Sequence, residues 1–88
     1  MVQYLSINNV TYLHDYILNL VFSDGKNINV NFKDFIHSSP HPDIQKYKNI
    51  EEFKNFQLDY GDLEWNDYEL AFPIFDLYQN NLKPTNLR

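Results

Sequence analysis

The chain has no cysteine, so no disulfide and no thiolate zinc site can brace it. It has two glycines, Gly25 and Gly61, which excludes a glycine-rich phosphate loop. No apolar run approaches the ~20 residues that span a bilayer as a helix. The N-terminus lacks a basic stretch followed by an apolar one, so no secretory signal is expected. Residues 55–82 contain six acids and no Lys or Arg. The rest of the chain holds six acids and seven bases, so the net charge of −5 resides in that segment. Binding to nucleic acid is driven by cations that neutralise phosphate, so direct contact with DNA or RNA is disfavoured. These absences predict a soluble cytoplasmic protein that works through neither a membrane nor a nucleic acid.

What is present is apolar and aromatic. Hydrophobic residues make up 43% and aromatic residues 17% of 88 residues, enough to build one small core without a staple. A single domain over residues 1–82 is expected, with a polar tail at 83–88. Residues 2–13 read as a first strand, broken near Asn8-Asn9. Tyr16, Leu18, Leu20 and Phe22 alternate with Ile17, Asn19 and Val21 as a second. Ile28, Val30 and Phe32 alternate with asparagines as a third. Asp24-Gly25 between the last two predicts a two-residue hairpin turn.

Short helical turns are expected at 33–37 and 43–47. A helix capped by Asn49 follows, with Glu51 and Glu52 in its first turn. Phe56, Leu58 and Tyr60 then alternate, Gly61-Asp62 turns the chain, and Leu63 and Trp65 alternate beyond it, which predicts a second hairpin. Asn66-Asp67 reads as a tight turn or bulge before Tyr68, Leu70 and Phe72. Pro73 suits the start of a last short helix carrying Ile74, Leu77 and Tyr78. The expected fold is α+β: a small, mostly antiparallel sheet of four to six short strands with two or three short helices.

Residues 59–73 hold the only Trp and five carboxylates without a base. Asp59, Asp62, Glu64, Trp65, Asp67, Tyr68 and Glu69 form the candidate partner face. An exposed Trp65 or Tyr68 rimmed by acids would match the anatomy of a protein interface and would suit a basic partner. The plainer readings are core packing for the rings and solubility for the acids. A calcium or magnesium site at Asp59, Asp62 and Glu64 does not match the spacing of an EF-hand loop, and Ca²⁺ needs six to eight oxygens. His37 and His41 stand at helical metal-pair spacing, but Pro40 and Pro42 deny them a helix and no third ligand is apparent. No Ser sits in a nucleophile elbow. No catalytic residue, metal site or cofactor is therefore expected, and a small metal-dependent enzyme is the least favoured reading.

The order of these signals resembles a bacterial family, the domain-of-unknown-function family 2442. The resemblance rests on Asp15-Tyr16, Leu18, Phe22-Ser23-Asp24-Gly25 and Asn31-Phe32. It continues through Phe35-Ile36, Phe53, the run from Asp59 to Asn66, Tyr68-Glu69-Leu70, Pro73 and Leu77-Tyr78. It extends over residues 4–78 and departs at Asn66, after Trp65, and at Asp34, where prolines are common. It implies a small α+β domain and no established activity. It looks like a stand-alone member without the helix-turn-helix segment that some members carry. It further implies a non-catalytic interaction or regulatory module, antitoxin-like or inhibitor-like. The alternative it implies is a regulatory domain associated with nucleic-acid-binding proteins. Self-association through the first strand or the 62–70 segment is a further expectation.

Overall fold

The structure, a computed structural model, describes residues 5–82. The first residues of the expected opening strand and the tail at 83–88 lie outside that range. The elements run β1 (Ile7–His14), β2 (Ile17–Phe22), β3 (Asn27–Asn31), α1 (Lys33–Ser38) and α2 (Pro42–Gln45). After a 3₁₀ turn at Lys46–Lys48 come α3 (Ile50–Phe53), β4 (Phe56–Asp59), β5 (Asp62–Trp65), β6 (Leu70–Ala71) and α4 (Ile74–Tyr78). The fold is α+β, as expected. Its six strands divide into two antiparallel sheets, ordered β1-β2-β3 and β4-β5-β6, and four short helices fill the gaps.

Alternation sets the first sheet. Leu18, Leu20, Phe22 and Val30 are fully buried, while Asn27, Asn29 and Asn31 face solvent. The break foreseen near Asn8 is a register shift between Ile7 and Asn9. Asp15 and Tyr16 close the β1–β2 hairpin with φ of 49° and 65°, and Asp tolerates that region well. The β2–β3 turn differs from the two-residue expectation. Gly25 N–H donates to Phe22 O at 2.9 Å, and Gly25 alone is left-handed, at φ 95°. The loop is therefore three residues, Ser23 to Gly25, with glycine at the position that needs positive φ.

The helices are too short to persist alone and are held by what they bury. Asn49 caps α3 as foreseen, its Oδ1 accepting from Glu51 N–H at 3.0 Å. Ile36, Ile44, Phe53 and Leu77 are each the buried anchor of one helix, and Tyr47 anchors the 3₁₀ turn. The Tyr16 hydroxyl donates to Lys48 O, tying the first hairpin to that turn. Tyr78 secures α4 to the β2–β3 loop: its hydroxyl donates to Asp24 Oδ2 at 2.5 Å, and Lys26 Nζ donates to Tyr78 O at 2.9 Å.

Trp65 stands where the two sheets and the helices meet. Its ring lies 5.7–6.4 Å from those of Phe32, Tyr47, Phe53, Phe56 and Phe72. The two sheets also touch directly, Ile7 N–H donating to Gly61 O at 3.0 Å. That bond fixes the tip of the β4–β5 hairpin against the start of β1.

Candidate partner-binding face

The β4–β5 hairpin places the acids. Phe56 pairs with Trp65, Gln57 with Glu64, Leu58 with Leu63 and Asp59 with Asp62. The turn lies one residue earlier than Gly61-Asp62: Tyr60 and Gly61 form it with φ of 52° and 84°, the backbone of a tight two-residue hairpin, and Asp62 begins β5. β5 then runs to Trp65, and residues 66–69 loop back to Leu70, which pairs with Trp65. Asn66, Asp67 and Tyr68 are all left-handed, at φ 51°, 56° and 67°.

Trp65 does not belong to a surface. It is 0% exposed, and its Nε1 donates to Phe53 O at 2.8 Å. A buried indole N–H needs such a partner, and this one fixes the ring inside the core. Glu64 is likewise no part of a face, being 2% exposed. Its Oε1 accepts from Tyr68 N–H at 2.9 Å, so the carboxylate holds the left-handed loop closed. Both residues are removed from the expected partner face.

Glu69 points towards the helical side. It pairs with Lys46 Nζ at 2.5 Å and accepts from the Tyr47 hydroxyl at 2.9 Å. Asn66 Nδ2 donates to the same hydroxyl at 2.7 Å. The bond from Lys46 is the main cause that holds the Glu69 carboxyl below its usual range, and Tyr47 and Asn66 assist against partial burial. Burial first, then the bond to Glu69, pushes the Tyr47 phenol up. A carboxyl lowered on folding stabilises the protein above its unfolded pKa, and the gain is lost as pH falls through the folded value. Glu69→Gln is therefore expected to soften the loss of melting temperature below about pH 4.5, the carboxyl's ordinary value. At pH 7 it should cost only about 0.2–1 kcal/mol, the range of part-exposed pairs. Thermal melts of both proteins from pH 7 to 3 decide it; parallel curves would contradict this role.

Asp59, Tyr60, Asp62, Asp67 and Tyr68 remain on the surface. Asp62 and Asp67 are exposed, and Asp59 and Tyr68 are half-buried. Tyr60 is 97% exposed at the tip, with Leu58 beside it at 39%. The Tyr68 hydroxyl donates to Asp59 O at 3.4 Å. Partial burial, then the charges of Asp59 and Asp62, push its phenol up. No ion pair among the described residues reaches Asp59, Asp62 or Asp67. Tyr60 and Leu58 join this surface without belonging to the expected face; their i, i+2 spacing at the end of an alternating strand is the signal the sequence offers.

The histidines stay apart. His14 lies 3.2 Å from the Asp15 carboxylate, His37 Nδ1 is 3.0 Å from Lys33 O, and His41 is the N-cap residue before α2. Among the described residues, no three His, Asp or Glu side chains group as a metal site would require.

The family model described as protein of unknown function (DUF2442) matches residues 7–82. The chain belongs to this family. The DUF2442 match begins with β1 and extends past α4, so it takes in both sheets and the hairpin tip. No curated protein and no solved structure matches the chain. Among the described residues of this DUF2442 domain, no helix is long and apolar enough to cross a membrane.

Proposed function

We propose that this domain is a non-catalytic protein-interaction module of the cytoplasm, whose β4–β5 tip binds a basic protein and neutralises or regulates it. The observation that carries this reading is the pairing of Asp59 directly opposite Asp62, beside the fully exposed ring of Tyr60. Like charges opposite one another weaken a hairpin. A tyrosine at positive φ adds a further cost that glycine or asparagine would avoid. Asp59 also holds the Tyr68 hydroxyl, but the opposed charges and the exposed ring are costs to the hairpin, and both suit a cationic surface. Carboxylates steer the approach and set specificity, while tyrosine is a favoured anchor in interfaces and can stack on Arg or Lys. Surfaces that bind phosphate are basic in this way, so a nucleic-acid-acting protein inhibited by this domain fits the chemistry.

Glu64→Lys would be a poor test, because Glu64 is buried and holds the 66–69 loop. Asp59→Lys/Asp62→Lys reverses the charge of this pair, one half-buried and one exposed, without entering the core. Affinity capture from the source cell should recover a basic protein with the wild type. It should lose that protein by about tenfold or more with the variant, and lose it progressively with added salt. Equal recovery by both, with folding intact by circular dichroism, would place the interface elsewhere.

A further inference from the structure

β1, β2 and β3 together contain no Asp, Glu, Lys or Arg. In a chain of net charge −5, a whole sheet without a formal charge in its strands is unexpected. Its outer face carries amides and a hydroxyl. Asn19 Nδ2 donates to Asn27 Oδ1 at 2.6 Å and to Asn29 Oδ1 at 2.8 Å, and Asn9 Nδ2 reaches Thr11 Oγ1 at 3.4 Å.

The outer edge of this sheet follows from the hydrogen-bond alternation. Phe22 sends its N–H to Lys26 O at 2.8 Å, on the β3 side. Alternation then turns Val21 and Asn19 towards β1, where they pair with Asn9 and Thr11. Val10 and Tyr12 consequently direct their N–H and C=O groups out of the sheet. Exposed strand edges are commonly guarded by charged residues or proline. Residues 5–13 contain neither, and Leu13 is 41% exposed. The opposite edge, β3, is flanked by Lys26 and Lys33.

The geometry points to a second copy of this chain as the occupant of the β1 edge, the two β1 strands pairing antiparallel across a two-fold axis to make one sheet of six strands. The isologous symmetry is what selects a second copy. Each group near the axis meets its own kind, so the surface must be self-complementary. Backbone edges, Asn and Thr carry donors and acceptors together and satisfy that condition; carboxylates, which only accept, do not. An acidic chain meets itself most readily along a strand without charge, as β1 is; the cation beside it, Lys54, lies over the Tyr12 ring at 5.4 Å. The acidic tip meets this edge only at its start, where Gly61 O takes the Ile7 N–H, and the pairing engages residues 9–13 beyond it.

Sedimentation equilibrium of the full chain tests it from micromolar to millimolar concentration. The mass is expected to rise from 10.6 kDa towards twice that value. Thr11→Glu, an exposed change, sets two carboxylates near the axis and should weaken dimerisation about a hundredfold. Asp62→Lys should leave it unchanged. Amide exchange of the wild type adds a reading that needs no variant: Val10 and Tyr12 should exchange more slowly as concentration rises. A monomer mass up to millimolar concentration, a dimer untouched by Thr11→Glu, or concentration-independent exchange at Val10 and Tyr12 would each overturn the proposal.

Discussion

Trp65→Ala is expected to destabilise the domain by about 3–5 kcal/mol, the cost of emptying a large ring from a packed core. The ring is 0% exposed and edges onto five other aromatic rings, contributed by α3, β4, the 3₁₀ turn and the segments flanking α1 and β6. No neighbouring element can collapse into the space without leaving its own partners. The change also leaves Phe53 O without the Nε1 donor. Small domains keep a margin of only about 5–15 kcal/mol, so much of the fold's stability would go with one side chain. Urea titration followed by circular dichroism reads the effect as a fall in midpoint with unchanged slope. Trp65→Phe retains most of the volume and should cost clearly less. A loss below about 1 kcal/mol for Trp65→Ala would contradict the placement of this ring, since that is the effect of an ordinary surface change.

Gly61→Ala is the second large effect, at about 2–4 kcal/mol. Two causes combine. Gly61 sits at φ 84°, a region that costs an alanine about 1–2 kcal/mol. A Cβ there would also fall 2.6 Å from Ser6 Cβ, closer than any real contact, and overpacking of that kind costs about 1–3 kcal/mol. Because Gly61 O accepts from Ile7 N–H, relief of the clash would prise the hairpin tip from β1 and loosen the joint between the sheets. Gly25 supplies the control. It has φ 95° but nothing within 4 Å of an added Cβ, so Gly25→Ala should pay the backbone cost alone, about 1–2 kcal/mol. Chemical denaturation of the two variants side by side gives the ratio. Equal losses would mean that Ser6 and Gly61 are not in contact.

Local patterns in the sequence announced most of the fold. The alternation of Leu18, Leu20 and Phe22, the cap at Asn49 and the turn at Gly61 all depend on near neighbours; the first two are found where the pattern puts them and the turn lies one residue earlier. The candidate face was less legible, because its members part company through contacts distant in sequence. Glu64 occupies the polar phase of β5, and a strand at the surface would show it to solvent. The 66–69 loop folds back instead and covers it: Asn66-Asp67 marks a turn, but nothing local says that its closure buries Glu64. Glu69 is claimed by Lys46, 23 residues earlier, and no local pattern couples the two. Trp65 offered two readings, anchor of an interface or centre of a core, and only the positions of Phe32, Phe53 and Phe72 decide between them. Asp59 and Asp62 were foreseen on either side of a turn; their direct opposition beside an exposed Tyr60 required the register.

The proposed interaction rests on the hairpin tip, and a photo-cross-linking phenylalanine analogue at Tyr60 tests that position in the living cell. Tyr60 is 97% exposed, so the replacement leaves the core untouched. Phe75, 60% exposed at α4, is the control site for chance collisions. The expected result is one dominant adduct with a basic protein from Tyr60, absent from Phe75 and lost when Asp59→Lys/Asp62→Lys is added. No adduct at Tyr60, or the same products from both sites, would contradict a partner-binding role for the acidic tip.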